Sequence, residues 1–144
     1  MGLFNNHILR VSILAWFIAQ VLKVIITLLK EKRMDFTRFI GSGGMPSSHS
    51  AFVVSLATSV GLKHGWDSTY FAISAVFTLI VMYDAAGVRR ATGKQAVVLN
   101  KIINEIHQYK EIKQERLKEL IGHTPIEVFT GALLGALISY LLVS

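Results

Sequence analysis

The apolar residues of this chain fall into blocks, and its charges gather between them. The first block, from about Ile8 to Leu29, is long enough to cross roughly 30 Å of hydrocarbon as a helix. This pattern predicts membrane spans rather than a water-soluble core. Hydrophobic residues make up 52% of the 144, and the mean hydropathy of +0.50 is high for a soluble domain of this size. The length allows one domain, residues 1–144. The expected fold is all-α, an integral membrane helical bundle. It has about four transmembrane helices, near 8–29, 47–63, 69–88 and 125–143, and an amphipathic interfacial helix near 95–121.

The spans differ in character. The second is short and rich in Ser, Ala and Thr, a poor lipid-facing helix but one whose small residues suit the inside of a bundle. The last carries Gly131 and Gly135, a small-xxx-small face that ordinarily means helix packing. Between the third and fourth, Leu99, Ile102, Ile103 and Ile106 recur at helical spacing among charges. A solvated helix and a membrane-surface helix fit that pattern equally. Arg10 precedes the first block as in a signal peptide, but Lys23 interrupts the block and no small-x-small site follows. A retained first span is therefore expected.

The net charge of +6 sits beside apolar blocks, which favours anionic head groups and phosphates over nucleic acid as partners. Nearly all Lys and Arg lie in the loops after the first and third spans, so the positive-inside rule places that face in the cytoplasm of a cell-membrane protein and both termini on the opposite side. The chain has no cysteine, which excludes disulfides, thiolate catalysis and cysteine-ligated metals.

Two segments carry chemistry. Gly43–Ser50 contains Pro46, Ser47, Ser48 and His49; Gly122–Glu127 contains His123, Thr124, Pro125 and Glu127. Each sets a His at the start of an apolar helix, where unpaired N–H groups and the helix dipole favour anions. The four-span topology brings both starts to one side. The structural alternatives are plain. Thr124-Pro125-Ile126-Glu127 is a good capping box, and Ser47 or Ser48 suits an N-cap. Asp84, followed by Arg89 and Arg90, is either a functional residue or an anchoring Asp–Arg pair at a helix end. Lys23 is read as snorkelling to the interface.

Pro46-Ser47-Ser48-His49 resembles the Pro-Ser-Gly-His motif of type-2 phosphatidic acid phosphatases, lipid phosphatases related to vanadium haloperoxidases. His123 with Glu127 resembles their His-x-x-x-Asp ending. Together with Tyr83–Asn100 and Gly122–Gly135, these residues make nearly the whole chain similar to a small divergent branch of that superfamily. The resemblance implies hydrolysis of a phospholipid or isoprenoid phosphate, or a pyrophosphate, with no metal and no cofactor. It implies His123 as nucleophile, Glu127 as its orienting carboxylate and His49 as general acid. Lys30, Arg38, Ser47, Ser48, Arg89 and Arg90 would hold the phosphate, with Asp84 in support. The chain also departs from the pattern. Lys-x6-Arg-Pro has no clean copy, Ser48 replaces Gly, no Ser-Arg pair precedes His123, and Glu127 stands for Asp. A second copy completing the pocket as a homo-oligomer, an inactive protein that binds anionic lipid, and a transport-related subunit are the competing expectations.

Overall fold

The computed structural model describes residues 5–31, 44–107 and 123–144. Within them are α1 (His7–Glu31), α2 (Ser48–His64), α3 (Thr69–Tyr83), α4 (Arg89–His107) and α5 (Pro125–Val143), with a π-helical turn, Asp84–Val88, joining α3 to α4. No strand occurs among the described residues. Three helical stretches are long and apolar enough to cross a membrane: His7–Leu29, Thr69–Asn104 and Pro125–Val143. The protein is an all-helical membrane bundle.

The 17-residue α2 is the shortest of the spans expected from sequence, and it occupies the middle. It packs against α1, α3 and α5. Its buried residues, among them Ser48, Ser50, Ala51, Ser55, Ala57, Ser59 and Gly61, lie on several faces rather than one. Without a hydrophobic drive between helices in lipid, close van der Waals contact and interhelical hydrogen bonds hold such a helix in place. The Ser139 hydroxyl donates to the Ser55 carbonyl at 2.9 Å and lies 2.7 Å from the Ser55 hydroxyl. On the other side Thr78 of α3 donates to the Val53 carbonyl at 2.9 Å.

The α2–α5 contact is close because α5 presents glycines. A methyl group on Gly131 would overlap the Ser47 carbonyl, and one on Gly135 would overlap the Ala51 carbonyl. Both glycines pass one turn apart over α2's own backbone, so the helices meet without side chains between them. α1 contributes a stripe of buried positions spaced four residues apart: Val11, Ala15, Ala19, Lys23 and Thr27. Val11 and Ala15 join Ile138 of α5 in a small apolar core.

One boundary differs from the sequence reading. Gly87 and the following charges suggested that the third span ends near Val88 and a separate amphipathic helix begins near 95. Instead helix runs unbroken from Thr69 to Asn104 through the π turn. A glycine inside a helix costs about 1 kcal/mol, whereas ending the helix near the bilayer leaves up to four carbonyls to satisfy. Residues 108–121 of the expected amphipathic segment lie outside the described residues.

Enlarging Gly135 to Leu should force α5 off α2 and destabilise the bundle by ~1–3 kcal/mol. Ser55→Ala, which removes one interhelical hydrogen-bonding group, should cost only ~0.6 kcal/mol. Reversible unfolding in mixed micelles by a denaturing detergent reads both; equal effects would show that the glycine contact is not what sets the helix spacing.

Candidate active site

At one end of the bundle the start of α2, the start of α5, the π turn and the C-terminal half of α1 converge. Ser47 caps α2: its hydroxyl accepts from the Ser50 amide at 3.4 Å and from the Ser50 hydroxyl at 3.1 Å. Its own amide donates to the Glu127 carbonyl at 2.9 Å, so the first turns of α2 and α5 are joined directly. The His123 amide donates to the Ala85 carbonyl of the π turn at 3.0 Å. A π turn shifts the helical hydrogen-bonding register, and such turns recur at functional sites; here one of its carbonyls holds the residue before α5.

His123 and His49 face each other across this junction. Their ring centres lie 6.0 Å apart, edge to face, at 62°. His123 is 1% exposed. Its Nδ1 lies 3.1 Å from Glu127 Oε2, and the same oxygen accepts the Thr124 amide at 3.0 Å while Thr124 Oγ1 accepts the Glu127 amide at 3.3 Å. The capping box and the imidazole-orienting carboxylate, alternatives in the sequence, are therefore one arrangement built on one oxygen. With Nδ1–H donating to Glu127, the lone pair of the neutral ring is on Nε2.

Lys23 is the residue that sequence reasoning misplaced. It does not snorkel: it is 1% exposed, among the most buried large side chains of the protein. Its aliphatic stem runs past Gly44, where a Cβ would sit 3.2 Å from Lys23 Cγ, and its ammonium interacts electrostatically with Glu127. Gly44 also has φ of +91°, a conformation that residues with a Cβ rarely adopt. The signal was available in the sequence, because Lys23 falls on the Val11-Ala15-Ala19 stripe of small residues and not on the lipid-facing side. A lysine on that stripe points inward.

Asp84, in the π turn, lines a cavity together with His49. Ser48, the first residue of α2, is buried beside Ser47. Arg38 lies outside the described residues, as do the side chains of Lys30, Arg89 and Arg90. The described residues hold no group of three or more His, Asp or Glu side chains able to ligate a metal.

The divergent PAP2 family model matches residues 4–138, nearly the whole of the chain, including both histidine motifs and all the elements that carry them. The chain belongs to the divergent PAP2 family. A relative from Bacillus subtilis (strain 168), described as uncharacterized membrane protein YuiD, is 44% identical over 153 aligned residues, covering 99% of this chain and 97% of its own. No solved structure matches. Family membership carries kinship with phosphatases. In this divergent PAP2 chain the two histidines share one pole of the bundle with the buried Lys23.

The His123–Glu127 pair has a spectroscopic signature. In ¹⁵N spectra His123 should show the Nδ1-protonated neutral tautomer, and Glu127→Ala should shift it toward the Nε2-protonated form that free imidazole prefers. An unchanged tautomer in the variant would show that the carboxylate does not orient the ring.

Proposed function

We propose that the protein hydrolyses a lipid phosphate monoester or pyrophosphate through a phosphohistidine intermediate. The observation that carries this reading is the oriented His123–Glu127 pair facing His49 beside a buried lysine. Plain anion binding needs cations and N–H groups, not two imidazoles of which one is held by a carboxylate.

The proposed chemistry uses this geometry. A nucleophile in position to react lies ~3–3.5 Å from its target atom, and a general acid lies ~2.6–3.2 Å from the atom it protonates. Two imidazoles serving opposite sides of one phosphorus must therefore be several ångströms apart, as the 6.0 Å ring separation allows. His123 Nε2 donates its lone pair to phosphorus, and the bond from phosphorus to the leaving oxygen breaks. His49, protonated, gives its proton to that oxygen. A water then attacks phosphorus, His49 takes a proton from it, and the P–N bond breaks to release phosphate and restore both rings. Glu127 stabilises the charge that His123 acquires in between. Lys23 neutralises charge on the non-bridging oxygens, and the Ser48 N–H at the start of α2 adds a donor.

Arg38, Lys30, Arg89 and Arg90 extend the positive field on this reading, which places the phosphate at the cytoplasmic surface of the cell membrane and the substrate's hydrocarbon in the bilayer. Lys94 and Lys101 on α4 support that orientation.

The test is turnover by protein reconstituted in lipid. His123→Ala should abolish release of phosphate, His49→Ala should lower kcat by ~10²–10⁴, and Lys23→Met by ~10²–10³. With ³²P substrate and a rapid acid-free quench, the unaltered protein should yield an alkali-stable, acid-labile phosphoprotein that is absent from His123→Ala. Full activity in both histidine variants would remove the mechanism; phosphate-dependent thermal stabilisation with no turnover on any lipid phosphate would leave only an anion-binding protein.

A further inference from the structure

α1 and α3 both pack on α2 but hardly touch each other. The gap between them is a cleft of about 570 Å³. Its floor is one face of α2, His49, Phe52 and Val53, at i, i+3 and i+4. Its walls are Ile13 and Trp16 of α1 and Phe77 and Val81 of α3, with Asp84 beside His49 at the polar end. Ile13, Trp16 and Phe77 are also exposed on the outside of the bundle, so the cleft opens sideways toward the bilayer. We infer that this cleft holds the hydrocarbon of an alkyl or prenyl phosphate, in which the chain is bonded directly to the phosphate oxygen, in preference to a diacylglycerol phosphate.

The inference rests on the hydrolase reading and narrows its substrate. One imidazole, His49, belongs to both the reaction centre and the cleft, so a phosphate at the first puts the adjoining atoms of the substrate in the second. Those atoms meet Phe52, Val53 and Val81. In a diacylglycerol phosphate they would be glycerol and two ester groups. Among the described lining residues only His49 and the Trp16 indole carry a side-chain donor, and Trp16 lies down the α1 wall. Burying ester carbonyls against the apolar floor without partners costs on the order of 1–3 kcal/mol each, whereas a chain that is hydrocarbon from its first carbon carries no such penalty. The volume suits one ligand.

A helix from a second copy is a poor occupant. The α3 wall extends from Phe77 to Asp84, ~10 Å along the helix axis at 1.5 Å per residue, about a third of the length a spanning helix must cover.

Trp16 reports directly on the cleft. The other tryptophan, Trp66, sits at the opposite end of α2 and is removed as Trp66→Phe; Trp66→Tyr is prepared alongside because Trp66 packs on Gly61 and Phe71. In phosphatidylcholine nanodiscs, hexadecylphosphonate brominated along its chain should quench Trp16 saturably. Unbrominated hexadecylphosphonate should reverse this roughly ten-fold more effectively than dioleoyl phosphatidic acid. Quenching that rises linearly, competition that is equal for the two, or a Trp16 shielded from every brominated probe by a neighbouring helix would each overturn the assignment. The phosphonate is not hydrolysed, so the two readings fail separately. Saturable quenching without hydrolysis of any lipid phosphate removes the reaction and keeps the cleft; hydrolysis without saturable quenching removes the cleft and keeps the reaction.

Discussion

The backbone-to-backbone approach of α5 to α2 fixes nearly everything else in this protein. Gly131 and Gly135 ride over the carbonyls of Ser47 and Ala51, and the Ser47 amide is bonded to the Glu127 carbonyl. These contacts set the two helix starts at one height, and the two histidines are attached to those starts. In a membrane, where water supplies no drive to pair helices, the small side chains give the attraction its reach, and the serine hydroxyls add hydrogen bonds across the same seam. The arrangement is rigid because each contact uses main chain, which cannot move aside as a side chain can.

On that frame the polar groups are economical. One oxygen of Glu127 caps α5 through the Thr124 amide and holds the His123 ring. Lys23 is sealed against Gly44, where a residue with a Cβ would be both strained and crowded. A buried cation near a half-buried carboxylate interacts more strongly than the same pair in water, but it also needs further partners to offset the loss of hydration. Lys23 and Glu127 are opposite in sign, and the Glu127 carboxylate that faces Lys23 electrostatically also holds His123.

The order of the spans, the burial of α2 and the meeting of His49 with His123 were legible in the sequence. They depend on hydropathy blocks, small-residue content and the parity of crossings, which are local or countable. Lys23 was not read correctly. A lysine in a span has two outlets, the interface and the interior, and only the stripe of Val11, Ala15 and Ala19 distinguishes them. The dual role of Glu127 was also hidden, because capping and ring orientation were weighed as rivals when one carboxylate satisfies both. The end of the third helix was misplaced for a different reason. Gly87 and a run of charges look like a stop, but helix continues through a π turn. The superfamily's lysine–arginine element has no clean copy in the sequence.

The unbroken helix from Thr69 to Asn104 has a mechanical meaning. At 1.5 Å per residue its 36 residues measure ~54 Å, well beyond the ~30 Å thickness of hydrocarbon. The helix is therefore longer than one crossing requires. The π turn lies within it, and the turn's Ala85 carbonyl accepts the His123 amide. A displacement of that helix, from bilayer thickness or a bound protein, would therefore reach the backbone of His123 through one hydrogen bond.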